Sequence, residues 1–207
     1  MLLNWISDLF WPLSCLGCRR AGVRLCRNCL DALPPAPPPE HIGDTPIVMA
    51  GTMKSPLLER AVWYLKYRNA QDLAEPLGDL MAAAVGRAGI HADVIVPIPL
   101  HPSRLRRRGY NQAALLAKRV ALIAGLPHVD ALVRVKKTAS QVGTGSRRER
   151  MENMANAFEI ARSGKVNGKR ILLMDDVCTT GATLSAAADA LRRAGASRVI
   201  GAVVTRG

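Results

Sequence analysis

The segment ILLMDDVCTTGAT, residues 171–183, constrains the fold more tightly than any other part of the chain. Four consecutive apolar residues suit a strand covered on both faces, which is the condition of a parallel sheet. Parallel strands require crossovers, usually helical, and TLSAAADALRRAG supplies one directly after the loop, with Gly195 at its C-terminal end. Further strands are expected at IVMAG (47–51), DVIVPIPL (93–100), AFEIA (157–161) and RVIGAVVT (198–205). Helices are expected between them. One runs from Ser55 as N-cap with Pro56 in the first helical position. A second carries Leu73, Leu77, Leu80, Met81 and Ala84 on one face, and a third, GYNQAALLAKRVALIAG, closes at Gly125. This alternation predicts an α/β domain, a parallel sheet flanked by helices, over residues 47–207.

Asp175 and Asp176 stand where that sheet delivers its ligand-binding end. The loop behind them, with Thr179, Thr180, Gly181, Ala182 and Thr183, opens a helix whose first amides lack partners, so it can cradle a phosphate. Two carboxylates beside a phosphate repel it unless they serve another part of the same ligand. Vicinal sugar hydroxyls, or a bridging divalent cation, meet that requirement, and a ribose 5-phosphate unit combines both features. An acid pair merely capping a helix leaves the conjunction unexplained.

Four of the five cysteines fall within fifteen residues, CLGCRRAGVRLCRNC. Cys15, Cys18, Cys26 and Cys29 form two C-x2-C pairs, the S4 set that structural zinc prefers. Two disulfides are the alternative, and they fit poorly with a reducing compartment. The first twelve residues lack the basic start of a signal peptide and carry Asp8, so a cytoplasmic location is expected. Leu2, Leu3, Ile6, Leu9 and Phe10 fit one face of a short helix, and no stretch reaches the length of a membrane span. Residues 1–33 therefore read as an N-terminal helix and zinc module. Residues 34–46, with five prolines in 34–39, read as a semi-rigid linker. Cys178 stands apart, as a small packing residue or as a thiol activated by the helix start.

Charge is concentrated in one window. Residues 101–150 hold 12 Lys/Arg and two acids, ten of the thirteen net positive charges. A polyanionic partner, nucleic acid or a polyphosphorylated metabolite, is one explanation, and a solvated basic face is the other. Tyr110 is the window's one aromatic residue, so phosphate electrostatics outweigh base stacking there. Residues 135–156, VKKTASQVGTGSRRERMENMAN, are the least regular and suit a functional loop.

The acid pair and its Thr/Gly loop resemble the signature of type I phosphoribosyltransferases. Together with DVIVPIPLHPSRLRRRGYNQAALLA, YLKYRN, RVKKTASQ, RRERMENMANAFEI and the four cysteines, they make nearly the whole chain resemble the ComF family of competence-associated, phosphoribosyltransferase-like proteins. The resemblance implies that phosphoribosyl pyrophosphate binds with Mg2+. Asp175 and Asp176 then hold the ribose diol, and Thr179–Thr183 hold the 5-phosphate. The turn through Pro99 and His101 forms the pyrophosphate loop, with Arg104, Arg107, Arg108 and Asn111 near it, and residues 136–150 form a hood. Asn69 stands where the family commonly has glycine. The family's link to import of transforming DNA implies single-stranded DNA and DNA-import proteins as partners. Three functions are compatible: a transferase acting on an unidentified acceptor, with His101 the nearest candidate base; a non-catalytic nucleic-acid-handling protein; and a phosphoribosyl pyrophosphate sensor.

Overall fold

The computed structural model describes residues 13–52, 54–136, 156–161 and 165–207. The helix expected over residues 1–12 and most of the irregular region lie outside them.

A five-stranded sheet forms the centre. Its strands are β1 (Glu40–Ile42), β2 (Thr45–Thr52), β3 (Val94–Pro97), β6 (Arg170–Cys178) and β7 (Arg198–Arg206), in the order β1-β2-β7-β6-β3. All neighbours are parallel except β1 with β2. A separate two-stranded antiparallel ribbon pairs β4 (Leu132–Arg134) with β5 (Phe158–Ile160). The sequence assigns AFEIA to a strand correctly but says nothing of its partner. With only three paired residues it joins this ribbon and not the main sheet.

Both faces of the sheet are covered, which explains the unbroken apolar runs. Along β6, Leu172 and Met174 enter one core with α2 (Pro56–Tyr67), α3 (Ala74–Arg87) and α5 (Gln112–Ala124). Ile171 and Leu173 enter a second core with α6 (Ala182–Arg193) and the ribbon residues Leu132 and Phe158. Helix starts follow the capping residues in the sequence: Ser55 accepts from the Leu58 amide at 3.5 Å, and Asn111 accepts from the Ala113 amide at 3.1 Å.

Three features were not read from the sequence. The sheet takes in Glu40–Ile42 and Thr45, ahead of Ile47. The turn after β3 contains α4 (Pro102–Arg108), which has no apolar periodicity to announce it. Its signals are the His101 cap and Gly109 in the left-handed region. Asn69 has φ +51°, a left-handed conformation that glycine enters without strain and asparagine tolerates better than most residues. Asparagine in place of the family's glycine thus keeps the turn that ends α2.

The four-cysteine lobe, with the short helix α1 (Arg27–Asp31), is docked on the domain. Leu16, Leu25, Leu30 and Leu33 pack into the first core, and Arg60 on α2 donates to the Leu16 carbonyl at 2.7 Å.

Candidate functional site

Strand β6 ends beside α2, through Lys66, and runs by a short loop into the start of α6. Pro97 pairs with Met174, and the Ile98 amide donates to the Met174 carbonyl at 2.8 Å. The loop through Pro99 and His101 therefore starts beside the acid pair, as the sequence expects.

Asp175 and Asp176 point to different surroundings. Asp176 is 3 % exposed, and its Oδ1 lies 3.0 Å from Lys66 Nζ. Its Oδ2 is buried and receives no hydrogen bond among the described residues. A buried carboxylate oxygen left without a donor is costly, so it marks a place for a hydroxyl or a cation. Asp175 Oδ1 accepts from the Asp176 amide at 2.8 Å. Burial of its carboxyl, reinforced by the neighbouring Asp176 charge, pushes Asp175 up to about 7 against the pull of Lys66 and Arg134.

Lys66 and Arg134 are site residues that the sequence analysis missed. Lys66 lies one turn beyond Val62 on the buried face of α2, and a cation there requires an acid partner. Arg134 shares the inward face of β4 with Leu132. It is 8 % exposed, with its guanidinium 5.5 Å from the centre of the Phe158 ring. Burial lowers its affinity for the proton, nearby Arg104 adds to that, and Asp175 opposes it. For Lys66 the available signal was a cation on an apolar helix face, whereas Arg134 shows only once β4 pairs with β5.

The loop after β6 is short and tightly held. Gly181 has φ +80°, and a Cβ there would sit 2.4 Å from Ile42 Cδ1, so both conformation and space demand glycine. Thr180 Oγ1 accepts from the Ala182 amide at 3.4 Å, and the N-cap residue of α6, Gly181, has no side chain to cap the amides that follow. The first amides of α6 therefore face the loop with Thr179, Thr180 and Thr183, the composition of an anion cradle. Cys178 is buried in the second core, and burial pushes its thiol up to about 11. It is a packing residue and not an activated nucleophile.

The residues after β3 divide. His101 Nδ1 lies 2.8 Å from Ser103 Oγ and accepts from the Ser103 amide at 3.2 Å, which fixes His101 as the N-cap of α4. Asn111 donates to the Ile98 carbonyl at 3.0 Å and so ties the loop to α5. Arg104 lies close enough to Arg134 for the two charges to oppose each other. Arg108 bonds Gln112 and covers the Tyr67 ring at 5.5 Å. Arg107 is exposed, as is Arg106. Tyr110 is buried and donates to the Leu65 carbonyl, so the aromatic residue of the basic window is unavailable for stacking.

The four expected cysteine sulfurs converge within 4.8 Å of one another. The Cys18 and Cys26 sulfurs are 3.6 Å apart, and none of the four is in a disulfide. Tetrahedral zinc with bonds of ~2.3 Å separates its sulfurs by roughly 3.8 Å, so the set could hold such a metal. Burial opposes the Cys15 thiolate, but amides of Cys26, Cys18 and Gly17 outweigh it and bring the thiol down to about 6. Cys29 is pushed up to about 12 by the sulfurs of Cys26 and Cys18. A Cβ on Gly17 would lie 2.7 Å from Cys29 Sγ, so this turn closes only on glycine.

No helix among the described residues is long and apolar enough to cross a membrane. Residues 65–207 match the family model of the phosphoribosyl transferase domain. The chain is 33% identical over 215 residues to the DNA utilization protein YhgH of Salmonella typhimurium, covering 95% of this chain and 93% of that protein. It is 39% identical over 109 residues to Competence protein F of Haemophilus influenzae, covering 52% of this chain and 47% of that protein. Among solved structures, adenine phosphoribosyltransferase from Leishmania tarentolae superposes with a TM-score of 0.44 at 12% identity, covering 80% of this chain and 94% of that one.

Proposed function

The chain belongs to the phosphoribosyl transferase domain family, among its ComF-type competence and DNA utilization members, and on that premise we propose that it binds phosphoribosyl pyrophosphate with Mg2+ at the end of β6. The observation that carries this is the orphaned Oδ2 of Asp176 beside Asp175, one strand end away from a glycine loop at a helix start. Asp175 and Asp176 hold the ribose diol, the amides at Thr179–Thr183 hold the 5-phosphate, and Arg104 with Arg134 faces the pyrophosphate. Mg2+, when bound, neutralises the phosphate oxygens and stabilises the leaving pyrophosphate. Lys66 holds the Asp176 carboxylate in place through their ion pair. The four cysteines hold a structural zinc.

Calorimetry with phosphoribosyl pyrophosphate and Mg2+ tests the assignment. Wild-type protein binds, and the variant with Asp175→Ala and Asp176→Ala keeps its fold but does not. Equal affinity in the two proteins removes the site.

The role that fits the relatives' printed names is cytoplasmic handling of imported single-stranded DNA, with DNA-import proteins as partners. The exposed Arg106 and Arg107 on α4 favour it. Affinity for labelled oligonucleotides then falls with salt at a log–log slope of about −0.7 per phosphate contact, and Arg106→Ala, Arg147→Ala and Arg148→Ala together flatten it. Arg147 and Arg148 lie outside the described residues. Transfer to an unidentified acceptor stays distinct from sensing by one measurement, pyrophosphate release. His101 serves as a helix cap, which leaves the acceptor's deprotonation without an assigned base.

A further inference from the structure

Helix α2 turns two of its three aromatic rings outward. Trp63 is 44 % and Tyr67 58 % exposed, in a chain with only three tryptophans and three tyrosines. They are four residues apart, so they share one helix face, with centroids 5.8 Å apart and planes tilted by 51°. Each has a guanidinium over it: Arg68 at 5.2 Å from the Trp63 ring and Arg108 at 5.5 Å from the Tyr67 ring. Arg108 belongs to α4, the helix that exposes Arg106 and Arg107. Lys66, between the two aromatic residues in sequence, reaches the acid pair through Asp176. The aromatic face thus adjoins both the mouth of the phosphoribosyl site and the arginine helix.

We propose that Trp63 and Tyr67 form a stacking platform for unpaired bases of single-stranded nucleic acid, whose phosphates are met by Arg68 and the arginines of α4. The proposal rests on the nucleic-acid part of the function above and assigns it residues. Exposed rings forfeit the stabilisation of burial, but they offer planar surface that any base can cover. A duplex keeps its base faces hidden, so the platform selects single strands. A protein partner is the weaker candidate because the neighbouring exposed side chains include Arg60, Arg68, Arg106 and Arg107, with Leu105 the one exposed aliphatic on α4. Glu59, the one acid on α2, lies one turn before Trp63 on the same face, at the end remote from Lys66 and the mouth.

The test compares a labelled fifteen-nucleotide oligo(dT) with an abasic strand of equal length by fluorescence anisotropy at low and moderate salt. Wild-type protein prefers the strand with bases by about tenfold for each engaged ring. Trp63→Ala with Tyr67→Ala abolishes the preference, whereas Trp63→Phe with Tyr67→Phe retains most of it. Unchanged metal content and thermal midpoint show that the variants are folded. Equal wild-type affinity for the two strands, or an unchanged preference in the double alanine variant, overturns the platform and leaves phosphate binding by arginines intact. Binding of neither strand at low salt removes the nucleic-acid role, and the platform with it, and leaves the rings as a protein-docking surface.

Discussion

Lys66 Nζ lies 3.0 Å from Asp176 Oδ1, and this pair joins α2 to the end of β6 at the mouth of the site. The acid side chain is 4 % exposed and the lysine 20 %. Removing the lysine strands a buried charge, and that cost exceeds what the intact pair contributes. Lys66→Met is expected to lower stability by about 2 kcal/mol, less than for a fully buried pair because water reaches the lysine. Asp176→Asn in the same chain restores most of the loss. Urea unfolding of the four proteins measures the coupling, and additive effects of the two changes dismiss the pair as incidental.

Asp175 gives a dependence on pH. Its folded value of about 7 exceeds the ~3.9 of an unfolded aspartate. Between those values the folded state holds a proton that the unfolded state has released, so this group's contribution lowers stability as pH rises from about 4 to about 7. Above 7 the contribution is constant. Asp175→Asn lacks the titration. The variant's advantage over wild type is expected to grow by on the order of 1–3 kcal/mol across that window. Denaturant unfolding of both proteins at several pH values checks this, and the comparison cancels effects of cysteine protonation common to both. A pH-independent difference between them rejects the shift.

The sequence made the sheet legible because β6 and β7 are covered on both faces, so their apolar runs are unbroken. Ser55, Gly125 and Gly195 marked helix ends by chemistry that acts locally. The acid pair, the glycine loop and the four cysteines were legible for the same reason, since each is contiguous or closely spaced. What escaped depends on distant partners. Lys66 is 110 positions from Asp176, and nothing beside it in sequence reveals the carboxylate it meets. Arg134 becomes a site residue only through the β4–β5 pairing. Helix α4 escaped because arginines carry no apolar periodicity, and β1 because a three-residue strand after a proline run has no pattern of its own.

The metal lobe makes a prediction about glycine as well as cysteine. Cys26→Ser removes one of four sulfurs, and elemental analysis or native mass spectrometry should find about one zinc per wild-type chain and less in the variant. Gly17→Ala keeps every sulfur but drives a methyl to 2.7 Å from Cys29 Sγ. Its zinc is expected to be released faster to a chelator. Leu16, Leu25 and Leu30 tie the lobe to the first core, so metal loss also lowers the thermal midpoint of the whole domain. Metal-free wild-type protein with two disulfides contradicts this account.

The last prediction concerns Gly181, where the loop after β6 meets β1. Ile42 is 3 % exposed, and its side-chain carbons occupy the space a Cβ on Gly181 would fill. Gly181→Ala therefore incurs the left-handed strain, about 1–2 kcal/mol, and a clash in addition. Ile42→Ala alone leaves a cavity costing roughly 2–4 kcal/mol. In the Gly181→Ala protein the same truncation admits the new methyl, so its cost should be markedly smaller. Stability from urea unfolding and affinity for phosphoribosyl pyrophosphate, measured on all four proteins, separate the two penalties. The strain persists in the double variant and continues to weaken phosphate binding, whereas the steric part disappears. If Ile42→Ala costs the same in both backgrounds, strand β1 does not brace the loop, and the glycine is required for its backbone conformation alone.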